Sequence, residues 1–223
     1  MARPDKYLLK DGTQVVGTTT VIGRFKDSGG LLHWAFGQGK LAEKGIIKNL
    51  YDKRDEAADL GTQVHEIVEQ HIHGETVDLD AAPAEVRSGF DAYLSWERQS
   101  KLRFLETEFP LVCDCHRFGG TPDGIVEIDG KIALVDFKTS NSVYADYLIQ
   151  LAAYKHLIEC GYRMGTGQPT NYRLDGGFHL LRFAKSHGDF AHHYYPNLDS
   201  AWRQFELFRE AYEIDRELRK RTK

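Results

Sequence analysis

GGTPDGIVEIDGKIALVDFKTS, residues 119–140, decides how this chain is read. Asp129-Gly130 stands between two apolar runs, Ile125-Val126-Glu127-Ile128 and Ile132-Ala133-Leu134-Val135. An Asp-Gly pair so placed is a strong signal for a two-residue hairpin turn. The pattern therefore predicts strands over residues 119–128 and 131–138. Side chains alternate faces along a strand, so Asp136 and Lys138 point to the same side. Asp123 follows Pro122 on the first strand, and the turn folds it back toward Asp136. Two carboxylates and an ammonium are thus expected at one spot beside apolar residues.

That set suits a hard divalent cation. Mg²⁺ and Mn²⁺ prefer oxygen ligands, and Asp123, Asp136 and the backbone carbonyl of Phe137 offer three. Hydrolysing a phosphodiester needs such a cation to hold the phosphate and lower the pKa of a water. Lys138 would hold or deprotonate that water and offset charge developing on the phosphate. A lone Asp-x-Lys is more often an ion pair decorating a sheet. The Pro-Asp on the preceding strand of the hairpin turns the balance toward chemistry.

Working outward, residues 102–113 also read as a strand, and residues 177–184 and 190–195 as two more. Upstream, residues 13–22 (TQVVGTTTVI) look extended and lead into turn material at Asp27-Ser28-Gly29-Gly30. Helical patterns run from Leu31 to about Leu50, over residues 55–73, and from Ala84 to about Gln99 with Pro83 near the first turn. Thr139, Ser140, Asn141 and Ser142 are candidate N-caps for a helix that runs to about Cys160. A long amphipathic helix from Leu198 carries Trp202, Phe205, Phe208 and Tyr212 on a stripe that reads as packed core. The expected fold class is α/β of the mixed α+β kind: a small mixed β-sheet flanked by helices.

At this point the residues resemble a known family. Pro122-Asp123 with Asp136-x-Lys138 is similar to the PD-(D/E)XK nuclease superfamily, and more narrowly its RecB-type branch. Gly61-Thr62-Gln63-Val64-His65 resembles that branch's upstream helix, whose histidine is a further metal ligand. Gln150-x-x-x-Tyr154 resembles its motif on the helix after the Asp-x-Lys strand, and residues 106–111 (ETEFPL) the strand entering the core. The general plan resembles phage-encoded exonucleases and the mitochondrial genome-maintenance exonuclease. The resemblance covers residues 60–160 well and residues 13–50 loosely. It implies a restriction-endonuclease-like core over residues 61–195 in a single domain, with an N-terminal helical embellishment (1–60) and a C-terminal helix (196–223). It implies metal ligation by His65, Asp123, Asp136 and the Phe137 carbonyl, with Mg²⁺ or Mn²⁺ as the cofactor. Imidazole suits Mn²⁺ better than Mg²⁺. Catalytic roles fall to Asp123, Asp136, Lys138, Gln150 and Tyr154.

Each transferred role has a plainer rival. His65 shares a helix face with Glu69 and Ile72, and alone it would read as a capped core histidine; the acids nearby favour ligation. Gln150 and Tyr154 either contact a DNA strand or active-site residues, or Tyr154 is simply buried with its hydroxyl satisfied. Glu108 either binds a second metal or orients a water, or is an exposed strand residue. Arg24, Lys26, His33, Trp34 and Lys40 interleave cations with aromatics, as suits a single strand. Arg117, Lys155, Thr139 and Ser140 are further candidates to meet phosphate.

The composition bounds the partners. Across 223 residues the net charge is −4, which argues against a protein that coats DNA but not against an enzyme with a local basic path. No run approaches the roughly 18 apolar residues of a membrane span, and MARPDKYLLKDG has no secretory apolar region. A cytoplasmic setting, bacterial or in a phage-infected cell, is expected. Cys113, Cys115 and Cys160 read as ordinary residues of a reducing compartment. Cys113-x-Cys115 lacks a second cysteine pair for a zinc knuckle. The iron–sulfur cluster of some RecB-type nucleases needs cysteines after Cys160, and there are none. No phosphate-binding loop of a helicase motor is present, so unwinding would need a helicase or recombination partner. The expectation is a DNA exonuclease. A structure- or sequence-specific endonuclease and an inactive DNA- or protein-binding module stay open beside it.

Overall fold

The computed structural model describes residues 4–26, 29–46, 52–184 and 187–222, without side chains for residues 29–32, 34 and 52–59. The chain opens on two short antiparallel strands, β1 (Tyr7–Leu8) and β2 (Gln14–Gly17). Four helices follow: α1 (Thr18–Phe25), α2 (Gly29–Glu43), α3 (Asp52–Ile72) and α4 (Ala84–Gln99). Next come strands β3 (Arg103–Thr107), β4 (Leu111–Cys113), β5 (Phe118–Gly120), β6 (Gly124–Ile128) and β7 (Lys131–Thr139). The chain then runs through α5 (Ala145–Cys160), β8 (Tyr162–Arg163), β9 (Phe178–Phe183) and β10 (Phe190–Tyr195) into the long α6 (Asp199–Arg221). The mixed α/β class is as expected.

The Asp129-Gly130 turn forms with both residues at positive φ, 49° and 77°, as a type I′ hairpin requires. It sets Ile128 opposite Lys131 and Gly124 opposite Val135. Instead of one small sheet there are two mixed five-stranded sheets among the described residues. Their orders are β1-β2-β5-β4-β8 and β10-β9-β7-β6-β3.

The two long strands expected at residues 102–113 and 119–128 are therefore each broken. Pro110 and Pro122 cannot donate to a ladder, and Glu108 takes a left-handed φ of 47°. At each break the chain passes between sheets: β3 pairs with β6, whereas β4 and β5 belong to the other sheet. The crossings lie side by side, the Glu108 N–H donating to the Asp123 carbonyl at 3.1 Å.

Two further expectations change. The extended reading of residues 13–22 holds only to Gly17, because Val21, Ile22 and Phe25 recur at helical spacing and Val21 and Ile22 are buried. Residues 139–142 do not cap α5, which starts at Ala145 with Tyr144 before it and no side-chain cap. Thr139 instead ends β7, where β9 still pairs with it through Phe183. The Ser140 hydroxyl donates to the Ser142 carbonyl. Of the expected turn at residues 27–30, Asp27 and Ser28 lie outside the described residues, and Gly29 and Gly30 begin α2. Residues 47–50 of the helix expected from Leu31 to about Leu50 also lie outside them.

The β7 sheet is covered on both faces. On one, Ile125, Leu134 and Leu180 pack against Leu151 and Leu157 of α5 and Phe205 of α6. On the other, Val126, Val135, Phe137 and Phe183 pack against Val64 and Val68 of α3 and Phe90 and Tyr93 of α4. Leu134 and Val135 are adjacent, fully buried and in different clusters, the period-two signature of a strand covered on both sides. Each such side chain contributes roughly 1.5–3 kcal/mol by burial. Trp202, Phe208 and Tyr212 lie against the first cluster beside Phe205, so the α6 stripe is packed core. No described helix is long and apolar enough to cross a membrane.

Candidate metal centre

β7 carries Asp136 and Lys138 on the face that looks toward α5. The Lys138 ammonium is ion-paired with Asp136 Oδ2 and stands 5.3 Å from the centre of the Tyr147 ring. Asp136 is 0% exposed. Beyond that ion pair and the neighbouring Asp123 carboxyl, the Asp136 oxygens have no hydrogen-bond partner among the described residues. Burial pushes this carboxyl above the usual carboxylate range; the Lys138 charge opposes the shift and the Asp123 charge adds to it. A buried carboxylate left this way is costly unless a cation completes it.

Asp123 is not within a strand but in the link just before β6, the position the Pro122 break gives it. It is buried, and its Oδ2 accepts the Phe137 N–H at 2.9 Å. That bond clamps Asp123 to β7 at the residue between Asp136 and Lys138. Phe137 points to the opposite face, where its ring meets the His65 ring edge-on at 5.5 Å and 75°.

On that face opens a small cleft of about 30 Å³ lined by His65, Glu69, His73, Glu108, Asp123 and Phe137, among others. The cleft gathers His65, Glu108, Asp123 and Phe137. Asp136 and Lys138 do not line it; they meet the group through Asp123 from the far face of β7. Glu69 and His73 were given no role from sequence. Their signal is the spacing from His65: Glu69 lies one helical turn along α3, and His73 follows just past its end. His71, by contrast, bonds Glu97 at 2.9 Å.

Gln150 and Tyr154 are both buried, and the Gln150 amide donates to the Tyr154 hydroxyl at 2.9 Å. They form an interior pair where α5 lies on the sheet. Gly120 makes this approach possible: a Cβ there would sit 2.6 Å from Tyr154 Cε1 and 2.8 Å from Thr18 Oγ1.

The other candidates scatter. Arg24 bonds Asp215 of α6 at 3.0 Å. Lys26 pairs with Asp146 at 2.8 Å, in the first turn of α5 and so near Tyr147 and Lys138. His33 is exposed, the side chain of Trp34 lies outside the described residues, and Lys40 stands 4.4 Å over the exposed Phe36 ring. Lys155 faces Glu159 at 3.8 Å, and the Arg117 carbonyl accepts two bonds from Arg209.

The donor set fits a hard divalent cation. Asp136 and Asp123 bring two adjacent carboxylates, and Asp123 also lines the cleft that holds His65 and Glu108 on the other face of β7.

No family model and no curated protein matches this chain. Among solved structures it is similar to a crystal structure of SSO0001, with a TM-score of 0.30 and 13% identity over 81% of this chain and 86% of that one. A likeness of that size bears on neither fold nor chemistry.

Proposed function

We propose that this chain is a metal-dependent deoxyribonuclease of the PD-(D/E)XK type that works from exposed DNA strand ends and leaves 5′-phosphates. The observation that carries the reading is the fully buried, incompletely bonded Asp136, paired with Lys138 and faced by Asp123 across a hairpin. A buried ion pair with few further hydrogen bonds repays its desolvation poorly; a divalent cation shared with Asp123 would complete it.

Asp123, Asp136 and the Phe137 carbonyl would hold Mg²⁺ or Mn²⁺, with His65 as a further ligand and Glu108 within the same cleft. When bound, the cation supplies Lewis acidity to a phosphoryl oxygen and acidifies a water. The Phe137 N–H keeps Asp123 oriented toward β7. The Lys138 ammonium, released from Asp136 as the carboxylates are neutralised, offsets charge on the phosphate and holds the water in line. Lys26, which follows α1 and pairs with Asp146 of α5, would meet a neighbouring phosphate, and the Lys40–Phe36 pair suits an unpaired strand.

The test is cleavage of end-labelled linear DNA, single- and double-stranded, with each metal. Asp136→Ala and Lys138→Ala should each fall by at least about a hundredfold, the size expected when charge stabilisation in a transition state is lost. Wild-type rates in either variant would end the nuclease reading. Cutting of circular single-stranded DNA would keep it but change the mode to endonuclease.

A further inference from the structure

The β4–β5 hairpin ends in a second gathering of donors, built from different chemistry. Cys113 closes β4, Cys115 and His116 lie in the turn, and His156 reaches in from α5. Cys113 Sγ is 3.6 Å from His156 Nε2 and 2.8 Å from Cys115 Sγ. Cys115 Sγ is 3.2 Å from His116 Nδ1 and 3.7 Å from His156 Nε2. All four donor atoms lie within 4.8 Å of one another. We propose that Cys113, Cys115, His116 and His156 form a structural Zn²⁺ site, separate from the carboxylate centre.

Zinc bonds of about 2.3 Å to sulfur and 2.0–2.1 Å to nitrogen make tetrahedron edges of about 3.6 Å between S and N and 3.8 Å between two sulfurs. The S–N separations are already close to that edge. The S–S edge must open by about 1 Å on these bond lengths, and Cys115 is exposed in a turn where its side chain can rotate. The two sulfurs are free thiols, well beyond the roughly 2.0 Å of a disulfide.

The surroundings support the rings as ligands. His116 turns Nδ1 to Cys115 while its Nε2 faces Glu206 Oε1 of α6 at 3.7 Å, and a carboxylate behind a ligating imidazole fixes its tautomer and orientation. His156 stacks flat on Trp202, centroids 4.2 Å apart at 9°. His116 stands edge-on to both rings, at 4.6 and 5.2 Å.

Thiolate and imidazole donors without a carboxylate select zinc over Mg²⁺ or Mn²⁺, and four protein ligands leave no open position for catalysis. The ion would tie the hairpin to α5 and, through Glu206, to α6. Cys113-x-Cys115 has no second cysteine pair; two histidines take that place, one of them brought in by the fold.

The experiment uses the full chain, stripped with chelator under reducing conditions and titrated with Co²⁺ and then Zn²⁺. The wild type should take up about one Co²⁺ with a thiolate charge-transfer band and the intense visible bands of tetrahedral cobalt, and Zn²⁺ should displace it. The bands should persist in Asp136→Asn, vanish in Cys115→Ser and His156→Gln, and need about tenfold more metal in Glu206→Gln. Both ligand variants change exposed or half-buried positions, and unchanged circular dichroism verifies their fold. Saturating zinc should raise the wild-type Tm by roughly 5–10 °C. A wild type without the thiolate band overturns the proposal, as does a band that survives His156→Gln. A reduced protein that takes up no zinc, but in air loses two hydrogens to a Cys113–Cys115 disulfide, also overturns it.

Discussion

Replacing Asp136 by Asn should stabilise the metal-free protein while removing the cleavage proposed for it. In the fold this carboxyl is raised from 3.8 to about 7, chiefly by burial, with Asp123 adding and Lys138 opposing. A folded state that holds its proton more tightly than the unfolded chain is favoured below the ordinary carboxylate value. It loses that advantage as pH rises through the folded value. The window is therefore pH 4 to 7, and the slope from one group is at most about 1.4 kcal/mol per pH unit. Across about three units the ceiling is roughly 4 kcal/mol. Lys138, only 15% exposed, loses its partner in the variant and gives back about half, since a stranded, partly buried charge costs on the order of 2 kcal/mol. The net gain above pH 7 is then about 2 kcal/mol, or roughly 4–8 °C in Tm for a chain of this size. Thermal melts in chelator from pH 4.5 to 8 should show the wild type falling away from Asp136→Asn as pH rises. The same linkage makes metal uptake expel the Asp136 proton. Calorimetry in buffers of different ionisation enthalpy, in a His65→Gln background so that no imidazole proton is counted, should show release approaching one proton per Mn²⁺ at pH 6 and fading by pH 8. Superimposable melting curves for the two proteins, or no proton released at pH 6, would refute the buried-carboxyl reasoning.

Other perturbations read different parts of the same structure. His65→Ala should weaken Mn²⁺ binding by about 10–100-fold, as loss of a ligand or its orienting partner commonly does, measured by calorimetry; unchanged affinity would leave the ring as packing for Phe137. Gly120→Ala drives a methyl into Tyr154 and Thr18, and overpacking of this kind costs about 1–3 kcal/mol, to be read from denaturant midpoints. Arg163→Ala removes a two-pronged ion pair to Glu106 that joins β8 of one sheet to β3 of the other; its loss should cost on the order of 1–3 kcal/mol, and an unchanged midpoint would mean the sheets are joined without it.

The centre of the site was legible because it lies in a local hairpin. Asp129-Gly130 fixes the register, and register alone puts Asp136 and Lys138 on one face. What could not be read were the crossings at Glu108 and Asp123. Both stretches alternate or run apolar on either side of the break, and only Pro110 and Pro122 hint that the pairing partner changes there. The threonines of residues 18–20 were misleading because β-branched residues prefer strands, while burial of Val21 and Ile22 decides in favour of a helix. The His116–His156 approach is a contact across α5 and had no local signal at all.

The paired crossings also bear on how the molecule is assembled in time. Neither sheet alone brings Glu108 and Asp123 together, and β7 cannot gain its parallel neighbour β9 until the chain from Ser140 to Gly177 has wound through α5. Non-local parallel pairings are slow to form. A refolding chain should therefore recover its helical signal well before it recovers the gathering of Glu108, Asp123 and Asp136. The DNA cleavage proposed for it would return last, with the slowest phase.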